Sequence, residues 1–524
     1  MSKRPQLAAL YSVALLSQIG KLDHLKISSI VQSVCVDCQS VADVPECLIS
    51  LIPTVSGFEG NLPCLRNPRG LEAGLVKAEQ WFASGVRVCL TRQNQKLQSI
   101  TDCCGVVFTF GDIGILENTL AMIVNSRVSR KICSDTPWVV KTIGLADYAT
   151  KNKWTLVSSC GSIPYLLVSW LAKGRSAVIV LDSTLPFMGS RRIRENFTQE
   201  FMNIFDIERT LFISQFGMGV LPNAGRRMMN RDAMAVSIAD VLLPCEVRPE
   251  GNMAQLIMSA RAKGKIIFHN ENSETISNSC KTNDASLSSA SRKIRFDKSA
   301  DFFPKSAHPE NPFADYFFHY TRACFGPWPG QSWADYLHEL TVNEVGSQHE
   351  AVDALRRILK EKRIRASGTW IRGAYRVVSF TERPPEEFDI ICKWRRGLMR
   401  KTFEPCGIAV KRSVLIEKGV RKVSYGSEEL FKNMTDEIKP YFQKASSSCA
   451  QWSREKEWRL IGDLKFNNLH QSDWFAMVPS LIDLDNLVRT FEAEEFRILV
   501  FGNAVVEEAG NQSQSHTNKF VTIS

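Results

Sequence analysis

The chain has no run approaching the roughly 18 uninterrupted apolar residues that a membrane-spanning helix requires. Its N-terminus sets Lys3 and Arg4 before an apolar stretch, but Ser12 and Ser17 interrupt that stretch and no convincing cleavage site follows, so it is not read as a secretory signal. Nothing repeats at the period of a solenoid. Regular cysteine spacing is missing as well. The fifteen cysteines are odd in number and mixed into apolar stretches, the pattern of reduced thiols and not of a disulfide scaffold. Cys35 and Cys38 form a C-x-x-C with Cys47 and Cys64 behind it, yet the later spacings match no common finger or ribbon, and no metal is predicted. Together these absences predict a soluble, cytoplasmic protein.

What remains is an ordinary globular composition, 44% hydrophobic and 23% charged. A length of 524 residues exceeds what one core serves, so two or three domains are expected. The formal charge is +10, and the excess lies in the front half, with 29 basic against 21 acidic residues in 1–270 and 36 against 34 in the rest. Such a balance suits a nucleotide or nucleic-acid partner there, and equally a merely solvated surface. Residues 1–104 carry helical periodicity (Leu7, Leu10, Tyr11, Ala14, Leu15) and read as a small helical region. From about 105 short β-rich runs alternate with helices: VVFTF (106–110), TLAMIVNSR (119–127), TLVSS (155–159), SAVIVLDS (176–183) and TLFISQF (210–216), with a helix near 191–204. Alternation with nearly continuous apolar strands predicts an α/β, Rossmann-like, mostly parallel sheet over 105–270. Residues 271–300 are rich in Ser and Asn and poor in large apolar groups, and read as a linker. A separate α+β domain is expected over 301–524.

The stretch 210–269 places an Arg-bearing turn (GRRMMNRD, 225–232), a strand (VLLPCEV, 241–247) and a Gly turn (PEGN, 249–252) where phosphate-binding sheets gather cations and helix N-termini. The order of these segments resembles the DprA/Smf family of DNA-processing proteins, within the SLOG group of Rossmann-like domains. The family's G-S-R turn stands as Asn125-Ser126-Arg127. Its S-G-x-x-x-G-I-D-x-x-A-H segment is represented by Ser158, Ser159 and Gly161, with Ile163 and Leu167 where the family has Asp and His. Its R-N-R turn reads Arg231-Asp232-Ala233, and its S-G-S loop Glu250-Gly251-Asn252. The resemblance implies a nucleotide- or single-stranded-DNA-binding site formed by Ser126, Arg127, Ser159, Gly161, Arg226, Arg227, Arg231, Gly251 and Asn252. The P-G-G-x-G-T loop of phosphohydrolase relatives is absent, so no catalysis is assigned to this domain. Arg226 and Arg227 can equally solvate a turn, and Gly161 and Gly251 can serve the backbone whatever is bound.

Three signatures recur further on: His319-Tyr320-Thr321, then Val378-Ser379-Phe380-Thr381-Glu382 after ILKEKRIRAS (358–367), and Glu455-Lys456-Glu457-Trp458-Arg459. Their order resembles abortive-infection proteins of the AbiGi type and, distantly, DarT-type ADP-ribosyltransferases. The resemblance implies transfer of ADP-ribose from NAD, with Glu457 beside the ribose, Glu455 activating the acceptor from the same strand face, and Glu382 joining them. His319, Tyr320, Thr321 and Arg459 would hold NAD. A buried Trp with an outward salt bridge is the alternative for Glu457-Trp458-Arg459. Arg395, Arg396, Arg400 and Lys401 form a basic run, either solvated or a nucleic-acid contact. The combined expectation is a sensor and effector of bacterial anti-phage defence, with a phage factor, a defence-operon protein or a second copy of the chain as further partners. The alternative is a non-catalytic DNA-binding protein or an interaction subunit.

Overall fold

The computed structural model describes residues 3–19, 24–38, 40–56, 65–100, 105–126, 132, 136–185, 188, 203–216, 223–268, 295–297, 311, 313–324, 326–342, 349–368, 371–392, 394–395, 400–444, 452–488, 491, 496–501 and 519–523. They fall into two compact units. The first comprises Met1–Val128, Ser134–Asp284 and Pro327–Val342; the second comprises Ser129–Cys133, Ala285–Gly326 and Asn343–Ser524. Among the described residues no helix is long and apolar enough to cross a membrane.

The first unit opens with helices α1 (Lys3–Ile19), α2 (His24–Asp37), α3 (Val44–Ser56) and α4 (Pro68–Ala83). Helix α4 starts where Pro68 pre-sets the first turn and the Asn67 side chain accepts the Arg69 N–H. These helices do not stand apart from the sheet. Strand β1 (Val86–Leu90), within the region expected to be helical, pairs antiparallel with β2 (Val106–Phe110). Gln6 of α1 binds Val88 twice, donating to its carbonyl at 2.7 Å and accepting its N–H at 2.8 Å. That exchange imitates a ladder rung and locks α1 on the sheet edge.

The eight-stranded sheet continues with β3 (Leu120–Val124), helix α5 (Pro137–Lys151), β4 (Thr155–Ser159), α6 (Ile163–Leu171), β5 (Ala177–Leu181), β6 (Thr210–Ser214), α7 (Ala224–Ile238), β7 (Val241–Pro244), α8 (Asn252–Ala262) and β8 (Ile266–Ile267). Its order is β1-β2-β6-β5-β4-β3-β7-β8. The six strands from β6 to β8 are mutually parallel. β3, β4 and β5 are buried along their whole length, as strands covered on both faces must be. The fold is α/β. The segment 225–232, expected as a turn, is the beginning of α7, because the Asn223 side chain caps the helix by accepting the Arg226 N–H. A further helix, α9 (Trp333–Thr341), belongs to this unit and sets His338 edge-on to Trp170 at 6.2 Å.

The second unit is a nine-stranded sheet of β9 (Arg295–Asp297), β10 (Tyr316–Tyr320), β12 (Val377–Thr381), β13 (Gly407–Lys411), β14 (Arg421–Lys422), β15 (Glu457–Ile461), β17 (Trp474–Val478), β18 (Phe496–Val500) and β19 (Lys519–Ile523). The order is β14-β15-β12-β10-β13-β17-β18-β19-β9. Strand β9 comes from the stretch expected to be linker. Helix α10 (Ala351–Glu361) lays Ala351, Val352, Leu355 and Leu359 against one face of this sheet. A capping box between Glu350 and Asp353 starts it, and Lys362 in the left-handed conformation ends it. A second ladder pairs β11 (Arg363–Ile364) with β16 (Leu464–Lys465). Helix α11 (Leu481–Val488) completes the cover. The expected helix near 191–204 lies almost wholly outside the described residues.

Candidate functional site

In a sheet of parallel strands joined by helices, every helix starts near the carboxyl edge of the strands, and ligands sit where the strand order reverses. Here the reversal falls at β3, flanked by β4 on one side and β7 on the other. Asn125 and Ser126, which follow β3, stitch that crevice. The Ser126 N–H donates to the Glu246 carbonyl at 2.7 Å, and its Oγ accepts the Arg248 N–H at 2.7 Å. Asn125 Oδ1 accepts the Glu246 N–H at 3.2 Å while its Nδ2 donates to Thr142 Oγ1 at 3.1 Å. Ser126 thus positions the chain after β7, which carries exposed Arg248 to the edge. Arg127 and Arg396 lie outside the described residues, as do the side chains of Arg395, Arg400 and Lys401.

β4 ends in Ser159, whose hydroxyl is buried and donates to the Val180 carbonyl at 2.5 Å. Gly161 follows with φ +89°, a left-handed turn that glycine adopts without steric cost. Around that turn lies an organised cluster of charge. Arg231 donates from Nε and Nη2 to Asp232 Oδ1 at 3.0 and 2.7 Å, and from Nη1 to the Cys160 carbonyl at 3.1 Å. Its guanidinium lies 4.8 Å from the centre of the Tyr165 ring, and the Tyr165 hydroxyl donates to the same Asp232 oxygen at 2.8 Å. Burial by itself would lower the Arg231 pKa, and Asp232, with Tyr165 and Asp182, more than compensates. The Tyr165 hydroxyl is pushed up by burial and then by Asp232. With 5% of its surface exposed, Arg231 is spent on pinning α7 to the turn after β4. Arg231, expected to meet phosphate, is placed against Asp232, a carboxylate that holds its guanidinium as an anion would.

More accessible arginines lie one turn earlier. Arg226 is exposed and Arg227 half-buried, both in the first turn of α7. Helices α6 and α8 begin at Ser162 and Gly251 without a side-chain cap. Gly251 does not serve a left-handed turn, since φ is −77°, and it is Glu250 that holds φ +61°. A Cβ at Gly251 would come 3.2 Å from the Arg248 carbonyl, so close approach is what the glycine permits. Asn252 is the first residue of α8 and half-buried. Tyr165 and Asp232, which organise the site, carried no signal in the sequence beyond the adjacency of Arg231 and Asp232.

In the second unit the register separates the residues expected to act together. Glu457 pairs opposite Thr381, and Thr381 opposite Phe318. Paired residues share a face, here the one packed with Phe318, Tyr320, Phe475 and Met477. His319 and Glu382 each lie one residue further along. They occupy the other face, where His319 meets the Phe380 ring at 5.9 Å and Glu382 accepts the Trp458 indole N–H at 2.9 Å. The sheet itself therefore stands between Glu457 and the pair His319 and Glu382, and the expected constellation does not form.

Each member is otherwise engaged. Glu457 accepts Ser379 Oγ at 2.7 Å and takes Arg459 through Nε at 2.9 Å and Nη2 at 3.1 Å. Arg459, 1% exposed, also donates to the Pro440 and Phe442 carbonyls and to Gln443. Glu455 belongs to a 3-10 turn, and Lys456 at φ +47° separates it from β15, so strand alternation does not place it beside Glu457. Tyr320 donates its hydroxyl to the Arg383 carbonyl, and Thr321 to the Ala351 and Cys406 carbonyls. His319 Nδ1 lies 2.8 Å from the Ser379 carbonyl, and burial, with Arg322 adding to it, lowers its pKa.

No family model matches the chain, and no curated protein matches it. Among solved structures, it is similar to DNA processing protein A from Streptococcus pneumoniae at 15% identity and a TM-score of 0.30, over 51% of this chain and 83% of that one. It is also similar to DNA processing protein A from Helicobacter pylori, a structure of that protein's single-stranded DNA binding mode, at 17% identity and a TM-score of 0.27, over 33% of this chain and 75% of that one.

Proposed function

We propose that the first unit is a non-catalytic binder of single-stranded DNA of the DprA type, taking backbone phosphate at the carboxyl edge of its parallel sheet. The observation that carries this reading is the placement of exposed Arg226 and Arg248 where α7 begins and where the chain turns into α8, with Arg231 held behind them by Asp232. Helix N-termini and arginines favour the same partner, an anion with several oxygens. The order of motifs from Asn125 to Asn252 supports a DNA-processing ancestry. An NAD-consuming effector has no comparable support in the second unit, because Glu457 and His319 lie on opposite faces of one sheet.

The test is binding of a fluorescent single-stranded oligonucleotide to the full chain across a salt series. Salt-dependent binding is expected, with Arg226→Glu combined with Arg248→Glu weakening it by about tenfold irrespective of sequence. Affinity that ignores both salt and the double variant would refute the proposal. Nicotinamide release from NAD, measured with and without the oligonucleotide, is expected to stay at background.

A further inference from the structure

The segment 358–367, ILKEKRIRAS, is a cation-rich stretch of the second unit. It runs from the last turn of α10 through β11, and the ladder with β16 sets Arg363 directly opposite Lys465. Like charges facing each other across a ladder repel, and Lys360, Lys362 and Arg376 add exposed cations to the same strip. Glu361 and Asp463 offset part of this charge. Glu361 accepts Nε of Arg357 at 2.7 Å, Nε of Arg365 at 2.5 Å and Nε of Arg363 at 3.3 Å. One carboxylate thereby orients three guanidinium planes. Asp463 lies 3.6 Å from Arg363 and 4.0 Å from Arg376. Burial would raise the Glu361 carboxyl, but hydrogen bonds from Arg365 and Arg357 outweigh it and hold the group at about 2. The arrangement stays fully charged at neutral pH.

An aromatic feature adjoins the charge. Lys362 borders a cavity of about 240 Å³ whose walls include Leu359, Phe466, Asn467, Gln471, Trp474 and Phe496. The Phe466 N–H donates to the Lys362 carbonyl at 2.8 Å, so the cavity and the basic strip share one backbone junction. Phe466 and Trp474 stack there, centroids 4.7 Å apart and planes 22° from parallel, with Phe466 buried behind a partly exposed Trp474. Flat apolar surface beside side-chain amides suits a planar, polar-edged ring, and cations alongside suit the phosphates attached to it. An acidic protein segment would satisfy the charge and leave the aromatic surface unused.

We infer that this face of the second unit binds a single-stranded polynucleotide, with backbone phosphates on Lys360, Lys362, Arg363, Arg365, Arg376 and Lys465 and one base against Trp474, which the buried Phe466 backs. The inference stands independently of the DNA site in the first unit. Its test uses the full chain carrying Arg226→Glu and Arg248→Glu, which weakens the first site, with 4-thiouridine RNA and 4-thiothymidine DNA of equal length as photo-crosslinking probes. Crosslinks are expected in peptides spanning 462–474, and whichever probe crosslinks identifies the source of the strand. In the same background Lys360→Glu, Lys362→Glu and Lys465→Glu together should weaken binding by about tenfold or more near physiological salt. Trp474→Leu should weaken it by about tenfold with the salt slope unchanged, and Trp474→Tyr should restore it. Crosslinks confined to other peptides, affinity indifferent to the three lysines, or inorganic polyphosphate competing equally charge for charge would each overturn the inference. If Arg226→Glu and Arg248→Glu leave DNA binding intact while the 462–474 crosslinks persist, the first proposal fails and this one survives.

Discussion

Arg231 and Arg226 lie five residues apart and have opposite tasks. Arg231 is surrounded by Asp232, the Cys160 carbonyl and the Tyr165 ring, whereas Arg226 has its side chain in solvent. Removing one partner of a buried pair leaves the other uncompensated, at a cost of about 3 kcal/mol or more. Arg231→Ala is therefore expected to lower the urea midpoint sharply while changing oligonucleotide affinity per folded molecule little. A variant that keeps its stability and loses its affinity would return Arg231 to the ligand. His319 provides a second residue-scale expectation, in pH. Its pKa in the folded chain is below the ordinary 6.5 because burial disfavours the cation. As pH falls through 6.5 the unfolded chain takes up a proton that the folded chain refuses, so stability declines from there toward the lower folded value. Urea midpoints at pH 7.5 and 5.5 should show this loss, and His319→Gln should remove its share of it.

At the scale of elements, the turn between β4 and α6 does most to shape the candidate site. Gly161 holds φ +89°, and a Cβ there would lie 3.9 Å from Arg231 Nη1 without a clash. The penalty for Gly161→Ala is thus one of backbone conformation, about 1–2 kcal/mol, and denaturant titration should find it without a loss of helix by circular dichroism. A much larger cost would mean that the turn supports more than its own geometry. The legible and illegible parts divide here. Continuous apolar runs made β3 and β5 readable, because a strand covered on both faces has no polar side to disguise it, and the β-rich runs TLVSS and TLFIS marked β4 and β6. The beginning of α7 was unreadable as helix because Gly225, Arg226 and Arg227 resemble a turn until Asn223 is seen to cap them. Glu455 and Glu457 looked like strand partners, and Lys456 at φ +47° breaks the alternation between them.

Across the whole molecule, exposed cations stand at two places with different designs. In the first unit, cations flank helix starts at a sheet edge; in the second, they crowd a short ladder beside stacked rings. Each phosphate contact on a single strand contributes roughly 0.7 to the slope of log affinity against log salt. Reversing charge at either place should lower the slope by a few such contacts, and the salt series already described for the oligonucleotide reads this directly.

The sequence by itself determined the α/β class of the first sheet and the order of its strands from β2 onward along the chain. Those are consequences of local composition: apolar runs, glycine at turns and cations near helix starts. Only the tertiary structure decided which side chains meet. Pairing register put Glu457 and His319 on opposite faces of one sheet, and the packing of α7 against the turn after β4 turned Arg231 inward to Asp232. Register and burial depend on partners distant along the chain, and no local pattern of residues encodes them.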